Sequence, residues 1–174
     1  MRVAPAPEPV AAPAPRLHWP EYLVEALGLG LFMVSACAFA TLLEHPSSPV
    51  HQAIASPVMR RVLMGLAMGL TAVGLIYSPW GKRSGAHMNP AVTLAFTRLG
   101  RVAPRDAACY IAFQFAGGAL GMALMARLLE PRLADPRVNY VVTAPGMAGI
   151  ALAFLAEALL SLGLMLIEIG RAHV

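Results

Sequence analysis

The hydrocarbon core of a bilayer is about 30 Å thick, so a helix that crosses it needs about twenty mostly apolar residues. Four runs in this chain qualify: Leu23–Leu43, Val62–Tyr77, Ala107–Leu129 and Gly149–Ile167. A fifth, Asn89–Leu99, is apolar but only about eleven residues long, too short to cross. Backbone that enters a membrane without spanning it is tolerated only against protein or a water-filled cavity. The fifth run is therefore expected to be a re-entrant half-helix. The fold class that follows is an all-α membrane protein, with three transmembrane helices and the half-helix over residues 19–129 and a fourth span completing a domain of residues 19–167.

The chain is 58% hydrophobic and 13% charged, against about a quarter charged in soluble domains, so lipid is the expected solvent. Residues 1–18, rich in Ala and Pro, cannot bury enough surface to fold and are expected to be a disordered tail. They lack the apolar stretch of a signal peptide. The net charge of +4 comes without a basic stripe interleaved with aromatics, so nucleic acid is not an expected partner. Lys82, Arg83, Arg98, Arg101 and Arg105 instead flank the fifth run. Short loops rich in Lys and Arg stay cytoplasmic, which places the N-terminus inside as well. The opposite loops carry Arg60, Arg61, Arg132 and Arg137, so the bias is modest. Trp19, Tyr22, Tyr77 and Trp80 border the first two spans, where half-wet rings act as interfacial anchors. Cys37 and Cys109 lie inside apolar runs and are expected to be inert buried thiols. Gly65, Gly69, Gly74, Gly117, Gly118 and Gly121 are expected to let helices approach closely.

Asn89-Pro90-Ala91 opens the fifth run. Asn is a preferred N-cap, and Pro fits the first helical position with its φ preset. A half-helix that starts inside the membrane aims its positive end at the bilayer centre, where its unpaired N–H groups must face water. A pore is the expected neighbour. The Asn89 amide can donate to a passing hydroxyl, and the positive helix end repels cations and protons. The preceding Ser84-Gly85-Ala86-His87-Met88 can run extended, so that the carbonyls of Gly85, Ala86 and His87 line the passage.

The ten residues Ser84-Gly85-Ala86-His87-Met88-Asn89-Pro90-Ala91-Val92-Thr93 resemble the first signature of the aquaporin, or major intrinsic protein, family. The resemblance runs from Tyr22 to about Ile167 and covers roughly the first two-thirds of a member. It implies an aquaporin-like bundle, conduction of water or small uncharged solutes such as glycerol, a multi-pass place in a cell membrane of the bacterial inner-membrane type, and a homotetramer when complete. It also implies that Glu25 and Glu157 are buried and brace the loops before two half-helices, that His87 has similar structural work, and that Gln114 occupies a family position. No cofactor is implied. The Ser78–Arg83 link is about one residue longer than usual, so the constriction-lining position is Met68, which favours water, or Gly69, which leaves room for glycerol.

Glu25-Ala26-Leu27 aligns with Glu157-Ala158-Leu159 and Met33 with Met165 at one offset. The fourth span thus reads as a second copy of the first, entering from the opposite side as in inverted-repeat transporters. The family's second Asn-Pro-Ala segment and its constriction Arg do not occur in these 174 residues, so the channel function is expected to belong to a longer parent. Glu168–Val174 matches the translation of a sequencing-adapter oligonucleotide and is expected to be non-native. Other classes fit less well. Gly81-Lys82-Arg83-Ser84-Gly85 lacks the spacing of a nucleophile elbow, which argues against an enzyme, and His87 has no second ligand at metal-binding spacing. A non-conducting membrane scaffold and a self-assembling half-channel are the remaining alternatives.

Overall fold

A computed structural model describes residues 17–145 and 149–171. Most of the Ala/Pro-rich tail, and the last three residues of the segment expected to be non-native, lie outside them. The described residues fold into seven α-helices: α1 Trp19–Glu44, α2 Pro49–Ala53, α3 Pro57–Tyr77, α4 Pro79–Ser84, α5 Pro90–Arg98, α6 Pro104–Leu129 and α7 Ile150–Arg171. Two short 3-10 turns, Arg132–Ala134 and Asn139–Val141, follow α6. Four helices, α1, α3, α6 and α7, are long and apolar enough to cross a membrane, and α5 is the short fifth run.

The long helices begin earlier than the apolar runs, three to five residues upstream for α1, α3 and α6, because proline rather than hydropathy sets their starts. α1 to α6 each carry Pro at one of the first two positions, where its missing N–H costs nothing. Two helices were not expected. α2 follows the loop after α1. α4 converts the Ser78–Arg83 link into a helical turn: the Ser78 hydroxyl accepts from Gly81 N–H at 2.9 Å, and Gly85 ends it with φ 90°, a left-handed conformation that glycine adopts without steric cost. Ser84 is therefore the last helical residue, and the stretch after it does not run extended as expected: Gly85, Ala86 and Met88 all have positive φ, because His87 and Met88 turn their N–H groups to Glu25.

The most extensive packing joins α1 to α6. A Cβ added to Gly117 would lie 1.9 Å from the Ala26 carbonyl oxygen, and one added to Gly121 2.5 Å from that of Gly30. Lipid removes the hydrophobic drive between helices, so close backbone approach is what holds them. Gly65, Gly69 and Gly74 depart from the expectation: nothing lies within 4 Å of the added Cβ, because they sit on a face of α3 that no described helix covers. α1 meets α3 through Ser35 and Thr71, whose hydroxyls are 2.7 Å apart. α7 is exposed along nearly its whole length.

Of the four aromatic anchors, Trp19, Tyr77 and Trp80 are exposed, but Tyr22 is fully buried. It packs edge-on to Tyr110 and Trp19 and donates to the Asp106 carboxylate, so its hydroxyl is satisfied by protein instead of the interface. His18, in the segment read as tail, reaches the same carboxylate at 3.1 Å. Cys37 is buried and Cys109 half-buried, both as free thiols.

Gly117→Ala is expected to lower the unfolding midpoint in detergent, since overpacking against backbone costs about 1–3 kcal/mol. Gly69→Ala, with nothing within 4 Å, is expected to leave that midpoint unchanged.

Candidate functional site

The site is built around Glu25, fully buried on α1 and about 9 Å along its axis from the first residue. Its Oε1 accepts from the Ser84 hydroxyl at 2.7 Å and from His87 N–H at 3.0 Å. Its Oε2 accepts from Met88 N–H at 2.6 Å and from Gln114 Nε2 on α6 at 2.8 Å. No Lys, Arg or His pairs with Glu25 among the described residues. The buried negative charge is therefore balanced by four neutral donors, two of them backbone N–H groups.

Those donors converge because the loop between α4 and α5 takes left-handed conformations at Gly85 (φ 90°), Ala86 (φ 48°) and Met88 (φ 44°). These turns bring the N–H groups of His87 and Met88 to one side, where the chain's own carboxylate accepts from both. Ala86 N–H is taken by the Ser84 hydroxyl at 3.1 Å. Left-handed backbone costs about 1–3 kcal/mol at a residue other than glycine, while a hydrogen bond to a charged group contributes about 1.5–3 kcal/mol. The two backbone bonds to Glu25 are thus of the size needed to hold Ala86 and Met88 in place. The peptide planes that aim the His87 and Met88 N–H groups at Glu25 carry the Ala86 and His87 carbonyls, which therefore point away from it.

α5 starts where this loop ends. Asn89 is its N-cap, with extended backbone and Oδ1 accepting from Ala91 N–H at 2.8 Å. That bond fixes the side chain of Asn89, which is exposed at the helix start. Pro90 follows with no N–H to satisfy. Thr93, fully buried one turn on, ties the half-helix to the brace: Gln114 Nε2 donates to its hydroxyl at 3.1 Å. The Thr93 hydroxyl also lies 3.2 Å from both His87 Nδ1 and the Asn89 carbonyl. Its single proton serves one of these, so a donation to Asn89 requires the proton of His87 to sit on Nδ1. The His87 ring stacks on Phe96 at 5.0 Å, which holds it against α5.

The structure therefore brings together Glu25, Ser84, Gly85, Ala86, His87, Asn89, Pro90, Ala91 and Gln114. Glu157 is not among them. It is exposed on α7 and has no hydrogen-bond or ion-pair partner among the described residues, which hold no second loop of this kind. Met68 is half-buried on α3 beside exposed Gly69. Two participants went unread in the sequence. Thr93 is one, and Tyr110 is the other, donating to the Ser84 carbonyl at 2.9 Å. Tyr110 was findable, since Ala107, Tyr110, Gln114, Gly117, Gly121 and Met125 are all buried on α6 at spacings of three and four that mark one helix face. Met88 is further constrained from α1, where a Cβ on Gly28 would lie 2.7 Å from its Sδ.

Residues 15–173 match the sequence pattern of the family described as Major intrinsic protein. The chain is 39% identical over 110 residues to the "Probable aquaporin AqpM" of Archaeoglobus fulgidus, covering 63% of this chain and 44% of that protein. It is 34% identical over 102 residues to the "Aquaglyceroporin AqpS" of Rhizobium meliloti, covering 59% and 40%. It is 30% identical over 136 residues to "Aquaporin-1" of Rhizopus delemar, covering 75% and 40%. The chain spans about two-fifths of the length of these curated relatives. A family pattern matched over nearly the whole chain, on a helical fold with four membrane-length spans and a braced half-helix, establishes that this chain belongs to the major intrinsic protein family.

Proposed function

We propose that the complete protein is a passive channel for water and small uncharged solutes such as glycerol, and that it excludes ions and protons. The observation that carries this reading is the pairing of an exposed Asn89, held at the start of α5 by its Oδ1, with the Ala86 and His87 carbonyls turned away from Glu25. Donor and acceptors on one short path suit a molecule that exchanges hydrogen bonds as it moves. The positive end of the half-helix raises the energy of a cation there. In this reading Asn89, Pro90 and Ala91 form the mouth of the half-helix, Gly85, Ala86 and His87 supply carbonyls, and Met68 narrows the passage from α3. Glu157 does for a second loop what Glu25 does for the first. No bond is made or broken, so no catalytic residue is assigned.

The relatives named as aquaporin and aquaglyceroporin support both water and glycerol as substrates. Four membrane-length helices and the basic flanks of α5 support a multi-pass protein of a bacterial-type inner membrane with its N-terminus in the cytoplasm. A homotetramer is the proposed assembly.

The test is stopped-flow light scattering of proteoliposomes holding the complete protein. Shrinkage under a sucrose gradient well above that of protein-free vesicles, with no accompanying proton or ion current, is the expected result; flux equal to empty vesicles overturns it. Glu25→Gln places a second donor against the loop and strands one buried N–H, at about 1–3 kcal/mol. It is expected to lower the unfolding midpoint and reduce flux. Ser84→Ala removes both the hydroxyl bond to Glu25 and the acceptor of the Ala86 N–H but leaves the carboxylate three donors, and is expected to move both quantities in the same direction.

A further inference from the structure

α1 runs from Glu21, paired with Arg83, to Glu44, paired with Arg60, so Arg60 marks the end of the bundle opposite the basic flank of the half-helix. In the proposed orientation that end is the outer one, where short loops are poor in Lys and Arg. Arg60, Arg61 and Arg137 nevertheless meet there, lining a basin of about 560 Å³ with Glu44, Pro57 and Met64. Charge that orientation disfavours calls for another role.

Arg60 brings a fixed donor to this basin. It is 8% exposed. Its Nε donates to Glu44 Oε2 at 3.2 Å, and its Nη1 donates to the Ile54 and Ala55 carbonyls at 2.9 and 3.2 Å. These three bonds hold the guanidinium plane. Nη2 donates to nothing among the described residues, and it is not one of the sealed, unpartnered atoms of the fold, so it keeps access to the basin that Arg60 lines. A guanidinium held on two nitrogens and open on the third is preorganised for an oxyanion.

The surrounding charge sets the class of that oxyanion. Arg61 and Arg137 are exposed and take part in no ion pair among the described residues. Three guanidinium groups thus stand against one carboxylate, which Arg60 already engages, and leave the lining with a net charge of +2. The positive end of α3, a helix of 21 residues that begins at Pro57, adds to the attraction. A lining of this charge matches a dianion, and arginine forks match the oxygens of a phosphate group. We propose that the basin binds a small phosphate dianion, inorganic phosphate or a soluble phosphate monoester, on Arg60 Nη2, Arg61 and Arg137. Met64 lies four residues before Met68 and shares its face of α3. The ligand therefore sits above the proposed narrowing, a placement that rests on the channel reading as the binding itself does not.

The test uses the full chain in a neutral maltoside detergent at about pH 8, where a phosphate group carries nearly two charges, with inorganic phosphate titrated by isothermal calorimetry. Saturable binding is expected. Arg61→Gln and Arg137→Gln are each expected to weaken it about tenfold, the loss of one charge-assisted hydrogen bond. Neither side chain makes a hydrogen bond or ion pair among the described residues, so neither variant threatens the fold. Arg132→Gln, at the same end of the bundle but outside the basin, is expected to bind phosphate unchanged. No saturable binding, unchanged binding in both basin variants, or an equal loss in Arg132→Gln overturns the proposal. Dioctanoyl phosphatidic acid distinguishes the source: if it binds and inorganic phosphate does not displace it, the basin takes a lipid headgroup and the proposal falls. Calorimetry reads no flux, so its failure leaves the channel reading untouched.

Discussion

A carboxylate buried without a basic partner is the constraint from which the rest of this structure follows. Glu25 would be prohibitively costly inside a membrane protein unless its charge were met by donors at close range. Ser84, His87, Met88 and Gln114 meet it, and in doing so they fix the loop, the start of α5 and the face that α6 turns inward. The dependence runs both ways. The left-handed backbone at Ala86 and Met88 persists because the carboxylate holds it, and the carboxylate stays buried because that backbone supplies the donors.

Close packing makes this arrangement possible. Gln114 reaches Glu25 only because α1 and α6 touch at backbone distance, with Gly117 under Ala26 and Gly121 under Gly30. Gly117 lies three residues beyond Gln114, and Ala26 directly follows Glu25, so the polar contact and the tightest steric contact are neighbours on one crossing. A side chain at Gly117 would separate the very residues that share a hydrogen bond.

What the sequence discloses depends on whether a residue's role is local. The half-helix is legible because length, an N-capping Asn and a first-position Pro all report on the same few residues. Glu25, Ser84, His87 and Gln114 are legible through a family resemblance that spans the signature. Tyr22 is misread because an aromatic at a helix start looks alike whether it faces headgroups or Asp106, and only the packing of α6 decides. The same applies to glycines: Gly117 and Gly121 on α6 meet a partner backbone and those on α3 meet open space. α4 is missed because Pro79 and Trp80 in a six-residue link give no periodicity to read, while the Ser78 cap and the Gly85 stop are visible only as a pair.

The prolines that open α1 to α6 bear on biogenesis. A purely hydropathic segment can slide by several residues as it enters a bilayer, since neighbouring registers bury similar area. A proline in the first turn stops the helix from growing backward, for it lacks an N–H and its ring collides with the carbonyl a turn earlier. Each spanning segment thus has its helix origin set by its own sequence, and Glu25 takes its place along α1 by counting from Pro20, whereas Asn89, on a half-helix too short to span, takes its depth from the loop and helices that hold it.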